Sequence, residues 1–236
     1  MPESFTYLLV NLGSLSVPFL FSFHPKLRFD RTWGAFFPAC LLVGLGFLAW
    51  DIWFTNMGVW GFTERYLTSI YLLNLPLEEV LFFVCIPYAS TFTYHCLKVL
   101  VKKDRLQVYA PAFSVLLAIA LSIIAGLHLD KWYTSLTFLA TAFILLLHVF
   151  VFKSPYLGYF YLTYLLVLPF FFLTNGILTG SGIDGQVVWY NNAETLGIRA
   201  GTIPVEDIVY GFLLLLLVVT AYEWRLTAGR ERKEVM

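Results

Sequence analysis

Seven runs of about twenty mostly apolar residues follow one another along this chain, and they leave little choice of fold. A helix needs ~20 such residues to cross the hydrocarbon of a bilayer, and backbone in that medium must satisfy its own hydrogen bonds. The runs cover approximately Ser4–Phe23, Trp33–Trp53, Pro76–Leu97, Leu106–His128, Trp132–Phe152, Tyr156–Leu178 and Pro204–Trp224. Only 13% of the residues are charged, against ~25% in a soluble domain, so polar side chains are too few to cover a water-facing surface. The expected fold class is an all-α integral membrane protein with seven transmembrane helices. The first run is expected to stay as a span rather than be removed as a signal peptide, because no basic segment precedes it. A formal net charge of zero argues against a nucleic-acid partner.

The third and seventh runs open on the same phrase, Leu75-Pro76-Leu77-Glu78-Glu79-Val80 and Ile203-Pro204-Val205-Glu206-Asp207-Ile208. Proline fits a helix start, where its missing N–H costs nothing, and carboxylates favour the positive end of the helix dipole. One such acidic pair is ordinary, but two copies, each heading a membrane span, mark a repeat. Pro25 and Pro155 recur after the first span of each triplet, and Asp51 near the end of the second span matches Asn175 near the end of the sixth. The expected organisation is two parallel three-helix repeats, residues 1–105 and 132–236, joined by a linking transmembrane helix at 106–131. A single linking helix keeps the repeats parallel, related by an axis near the membrane normal, and brings both acidic motifs to one level. The connection Phe54–Leu75 is expected to hold a short interfacial helix around Arg65–Leu73; a similar loop, Thr179–Ile203, follows the sixth span.

Ionisable groups at membrane depth are costly and are functional candidates by default. Glu78, Glu79, Glu206 and Asp207 are therefore the candidate catalytic residues, since a carboxyl that keeps its proton can act as a general acid toward an apolar substrate. Neighbours on a helix diverge by ~100°, so one acid per pair is expected to face the cavity and the other to support it. Candidate substrate contacts are Asp51, Phe82, Tyr190, Asn191 and Tyr210, because aromatic faces stabilise a cation. Asn191 belongs to Trp189-Tyr190-Asn191-Asn192, which reads equally as a turn cluster. Glu223, beside Arg225, is expected to form a surface ion pair, and Cys40, Cys85 and Cys96 read as core residues.

Several chemistries are excluded on spacing. Gly180-Ser181-Gly182-Ile183-Asp184-Gly185 fits G-x-G-x-x-G but follows a transmembrane run with no βαβ unit around it. His24, His95, His128 and His148 are scattered, so no metal site is expected. No D-x-x-x-D pair is present to hold magnesium and a diphosphate, and the last span has no lysine for a retinal Schiff base.

Ile203–Phe212, with Trp189-Tyr190-Asn191 and Leu196-Gly197-Ile198 before it, resembles the second half of the membrane-integral lycopene cyclases, and Leu75–Phe83 resembles the first half. In that family two homologous three-helix subunits pair, or are fused through an extra helix, and this chain resembles the fused form over nearly its whole length. The resemblance implies that a carboxylic acid protonates the terminal double bond of lycopene, the resulting cation closes a six-membered ring, and loss of a proton yields a β-ionone end. It places the cavity-facing acids at Glu78 and Glu206, with Glu79 and Asp207 positioning them or accepting the final proton. The reaction has no net redox change, so no cofactor is expected. Expected partners are the polyene and membrane lipid, with homo-oligomer formation left open. The alternatives are a proton-coupled transporter or a hydratase acting on the same cation.

Orientation follows from the basic residues. Twelve of the fifteen fall in alternate connections, at Lys26, Arg28 and Arg31, then Lys98 to Arg105, then Lys153, then Arg225 to Lys233. The other side holds Arg65, Lys131 and Arg199. The chain is therefore expected in the cell inner membrane with its N-terminus outside and its C-terminus cytoplasmic. A reporter fused after Met236 should be active only in the cytoplasm, and one inserted in the Thr179–Ile203 loop only outside. Signals from one and the same side would refute the seven-span topology.

Overall fold

The computed structural model describes residues 3–234, with side chains up to Gly229. The side chains of Arg230, Arg232 and Lys233, and residue Met236, lie outside the described set. Seven helices among the described residues are long and apolar enough to cross a membrane. They are α1 (Thr6–Phe21), α2 (Trp33–Met57), α3 (Leu77–Leu100), α4 (Ala110–Leu127), α5 (Trp132–Leu146), α6 (Leu157–Leu178) and α7 (Val205–Glu234). A single π-helical turn, Leu147–Val151, extends α5. Six short strands lie in the connections at one end of the bundle: β1 (Trp60–Phe62), β2 (Tyr71–Leu72), β3 (Leu75–Pro76), β4 (Val188–Tyr190), β5 (Arg199–Ala200) and β6 (Ile203–Pro204).

Helix α1 packs on α3 and α5 on α7, while α2 crosses to α7 and α3 to α6; α4 lies along α5. These are the contacts of two triplets related by a twofold axis, with α1, α2 and α3 corresponding to α5, α6 and α7. The axis is visible in the backbone. Strands β1 and β4 pair antiparallel with Trp60 opposite Tyr190, Gly61 opposite Trp189 and Phe62 opposite Val188. Adding 128 to any residue of β1 gives its repeat equivalent in β4, so exchanging the two strands reproduces their own register. The repeats thus meet through this strand pair, with their axis between Gly61 and Trp189. Helix α7 is the most enclosed, its residues Phe212 to Leu216 all buried, whereas much of α1 is exposed on the outside of the bundle.

The hairpins that precede α3 and α7 replace the interfacial helix expected around Arg65–Leu73. Only a 3₁₀ turn, Glu64–Tyr66, forms there, and β2–β3 follows with Leu72 opposite Leu75. The β5–β6 hairpin repeats it with Ala200 opposite Ile203. An apolar run this short cannot repay helix nucleation; the hairpin does more, because it satisfies the first N–H of each membrane helix. Leu77 N–H donates to the Ile70 carbonyl at 2.8 Å and Val205 N–H to the Ile198 carbonyl at 3.1 Å. Both donors would otherwise be orphaned at a helix N-terminus.

Prolines 18, 38, 87 and 169 lie inside helices, and Pro111 sits in the first turn of α4. Pro87 frees the carbonyl of Phe83, and the Cys40 thiol of α2 lies 3.3 Å from that oxygen as a donor, so a neighbouring helix repairs the gap. Cys40 is a core residue with a hydrogen-bonding role as well. Glu223 does not pair with its neighbour Arg225. It accepts from the Tyr94 hydroxyl at 2.8 Å and from Lys98 at 2.6 Å, tying α7 to α3 at the end of the bundle remote from the hairpins.

Leu73 and Gly201 occupy the same hairpin position and share a positive φ, 58° and 67°. Glycine adopts that conformation freely, while a leucine there is strained by about 1–2 kcal/mol. Gly201→Leu should lower the thermal midpoint of the purified protein, and Leu73→Gly should leave it unchanged or raise it. A clear drop for Leu73→Gly would contradict this hairpin geometry.

Candidate active site

Both acidic pairs lie in the first turn of their helices, and all four side chains are buried. They divide in the opposite sense to the one expected. Glu78 and Glu206 turn toward the loops of their own repeats. The Glu78 Oε1 accepts the Thr68 N–H at 2.6 Å and the Glu206 Oε1 accepts the Leu196 N–H at 2.6 Å, donors again 128 residues apart. Thr134 of α5 adds a hydroxyl to Glu206 at 2.7 Å. In each case the second oxygen, Oε2, is buried without a hydrogen bond. The ~100° turn between helix neighbours then sends Glu79 and Asp207 the other way, into the interface between the repeats.

Two tyrosines meet them there. Tyr7 of α1 donates to Glu79 Oε2 at 2.5 Å, and Tyr133 of α5 donates to Asp207 Oδ1 at 2.6 Å. Each tyrosine is in the first turns of the first helix of its triplet, so the two contacts are repeat equivalents. Asp207 has two further donors on Oδ2, the Tyr190 hydroxyl at 2.7 Å and the Asn175 amide at 2.9 Å. Burial, and then the adjacent Asp207 carboxylate, push the Tyr190 phenol well above its ordinary pKa, so the shared proton stays on the tyrosine. The repeat equivalents of Tyr190 and Asn175 are Phe62 and Asp51, and neither supplies Glu79 with a donor. Asp51 instead accepts the Trp60 indole N–H at 2.5 Å and leaves its other oxygen buried without a partner.

Asp51, Glu79 and Asp207 all lie within electrostatic reach of the Tyr210 hydroxyl, which has no hydrogen-bond partner. Glu79 is in turn within reach of both Asp51 and Asp207. Among the described residues no three such groups come close enough to hold a metal ion. Aromatic rings occupy the space between the carboxyls. The Tyr210 ring contacts Trp50 at 5.5 Å, Tyr133 at 6.0 Å and Trp60 at 6.1 Å, centroid to centroid, and Tyr190 stacks on Tyr133.

Of the expected substrate contacts, Asp51, Tyr190 and Tyr210 join this cluster. Phe82 sits on its flank, edge-on to Tyr7 at 6.4 Å. Asn191 does not join: its side chain accepts the Ala193 N–H at 3.0 Å and caps the short turn Asn192–Glu194, the turn-cluster role. Tyr7, Trp50, Trp60, Tyr133 and Asn175 are the participants that sequence reasoning did not place in the site. A tyrosine at the head of the first helix of each triplet was the available signal for two of them.

A family model described as lycopene cyclase matches residues 4–97 and 130–225, one segment on each triplet. No curated protein and no solved structure matches the chain. The two matched segments leave out little beyond α4 and the termini, and they contain every carboxylate, tyrosine and tryptophan of the cluster. On that match the chain belongs to the lycopene cyclase family.

Proposed function

We propose that this protein closes the acyclic ends of lycopene into β-ionone rings, and that Glu79 and Asp207, rather than Glu78 and Glu206, act on the substrate. The observation that carries the reading is the aromatic cage around Tyr210, with Asp51, Glu79 and Asp207 about it. Cyclisation of an apolar polyene needs a proton source, a lining that tolerates a carbocation, and a base. Protonation of the terminal double bond leaves a tertiary cation; the C5–C6 double bond attacks it, a six-membered ring closes, and C6 gives up a proton. One proton enters and one leaves. The faces of Trp50, Trp60, Tyr133 and Tyr210 stabilise positive charge, and no general water supply is needed.

The two halves divide the work. A carboxylate accepts hydrogen bonds only, whereas a carboxylic acid must also place a proton. Asp207, with three donors on its two oxygens, is arranged as the carboxylate that faces the cation and accepts the proton from C6. Glu79, with one donor, has an oxygen free to carry and deliver a proton. Glu78 and Glu206 hold the loops that close the hairpin end. In this reading the hairpin end faces outward and the basic end the cytoplasm of the inner membrane, and residues 1–105 and 132–236 act as one site rather than as independent domains.

Glutamine keeps the size and one acceptor of glutamate but cannot deliver a proton. Glu79→Gln should lower β-ring formation per folded molecule by ~10²–10⁴-fold, the usual worth of a positioned acid. Asp207→Asn should lower it comparably by removing the counter-charge. Glu78→Gln and Glu206→Gln retain the acceptor for Thr68 and Leu196 and should stay within a few-fold of the parent. Pigment analysis in a lycopene-producing host, normalised to folded protein, decides the matter. Full turnover in Glu79→Gln with loss in Glu78→Gln would return the acid role to the first residue of each pair.

A further inference from the structure

An apolar groove of about 340 Å³ runs between α2, α5 and α7. Every residue that lines it is glycine, aliphatic or aromatic. Along α2 it extends from Leu42 to Trp50, about 12 Å at 1.5 Å per residue. Its mouth lies on the outside of the bundle, at Leu42 and Phe143, which are 69% and 60% exposed. Its floor is Phe47 and Leu213, 4% and 2% exposed. In a bilayer the mouth faces lipid, not water.

The inner end of the groove is continuous with the carboxyl cluster. Phe47 and Trp50 contact the Tyr210 ring at 5.1 and 5.5 Å, and Tyr210 in turn packs on Trp60 and Tyr133, the donors to Asp51 and Asp207. Two buried polar atoms at this end have no partner, the Trp50 indole N–H and the Tyr210 hydroxyl. No hydrogen bond therefore anchors either ring. Gly46 sits in the wall, and a Cβ added there would meet nothing within 4 Å, so a larger side chain at that turn has room to extend into the groove.

We infer that this groove is the lateral entrance and seat for one end of the polyene, which passes from the lipid between α2 and α5 and ends against Trp50 and Tyr210. This rests on the cyclase reading above. The volume is at the lower end of the ~300–1,000 Å³ of small-molecule sites; it suits one chain end, with the remainder of the polyene left in the bilayer. Its inner wall is aromatic, which favours a flat conjugated chain through offset stacking over a saturated lipid tail. The orphaned Trp50 and Tyr210 can shift without breaking a hydrogen bond, which brings the terminal double bond to the carboxyls.

The test is the dependence of cyclisation on lycopene concentration in proteoliposomes of purified full-length protein. Gly46→Leu fills the groove and should raise the lycopene needed for half-maximal rate by at least about tenfold, the equivalent of roughly two lost methylene contacts, with the saturated rate within a few-fold of the parent. Val43→Phe narrows the same groove from an adjacent turn and should do likewise, which keeps the test open if Gly46→Leu does not fold. Leu45→Trp, which adds bulk on the exposed side of α2 outside the groove lining, should leave the curve in place. An unchanged curve for Gly46→Leu or Val43→Phe, as a seat for a lipid acyl chain alone would give, overturns the groove while parent activity keeps the cyclase reading intact. Equal shifts in all three variants would also overturn it. A parent protein that forms no ring removes the cyclase reading and the groove assignment together.

Discussion

Five buried carboxyl groups at one end of a seven-helix bundle have to be satisfied by the protein, because the bilayer offers them nothing. An ionised or polar group without partners in such a medium is heavily penalised, and the arrangement at the hairpin end follows from this. The loop amides of Thr68 and Leu196 exist where they do to meet Glu78 and Glu206. The 3₁₀ turns and tight hairpins that precede α3 and α7 fold the chain back so that those amides, and the carbonyls of Ile70 and Ile198, reach the first helical turn. Tyrosines from α1 and α5 then meet the acids that turn inward. The hairpin end is a cap for two buried helix starts, and the candidate site is what remains inside the cap.

The spans, their number and the repeat were all legible in the sequence, because each rests on a signal carried by many residues: apolar runs of membrane length, and a motif repeated at one spacing. The family resemblance read from Leu75–Phe83 and Ile203–Phe212 agrees with the match over both triplets. What was not legible depends on direction rather than on kind. Glu78 and Glu79 are adjacent and chemically alike; only the rotation of α3 about its axis determines which one faces the other repeat. That rotation is set by α1 and α6 packing on α3, contacts between residues far apart in the chain. The hairpin at Tyr71–Pro76 was hidden for a related reason. Its turn places a leucine at positive φ, where local propensity argues for something else, and only the glycine at the equivalent position betrays the geometry. Asn191 shows that a polar residue next to a site residue can belong wholly to the turn.

Twofold organisation brings the acids together, and under the proposed reaction the differences between the halves give the site a direction. Glu79 answers Asp207, Asp51 answers Asn175, and Phe62 answers Tyr190. The last two differences each give the second half a hydrogen-bond donor to Asp207, from Asn175 and Tyr190, that the first half lacks toward Glu79. A perfectly symmetric pair would offer two identical carboxyls to the substrate, and a reaction that takes in a proton and then releases one would have nothing to distinguish acid from base. The pairing of β1 and β4 and the matched hairpins keep the backbone near symmetric around the acids, so the asymmetry there resides in side chains. Fusion into one chain permits this, since the two copies of the repeat can differ at equivalent positions.

The same logic accounts for the site's depth. An acid at the centre of a membrane helix would have its neighbours' backbone groups already committed, and no free N–H to draw on. In the first turn of α3 and α7 the loop amides of Thr68 and Leu196 and the positive end of the helix dipole offset the cost of burial without salt bridges. An apolar substrate of bilayer length must then bring its end to the acids, rather than the acids moving to the bilayer centre. A groove along the middle of α2 that terminates beside Trp50, one residue short of Asp51, would meet that requirement under the proposed reading. Under the proposed cyclase reading, hydrocarbon contact along the helices and carboxyl chemistry at their ends are kept in separate zones, with the Tyr210 ring as the boundary between them.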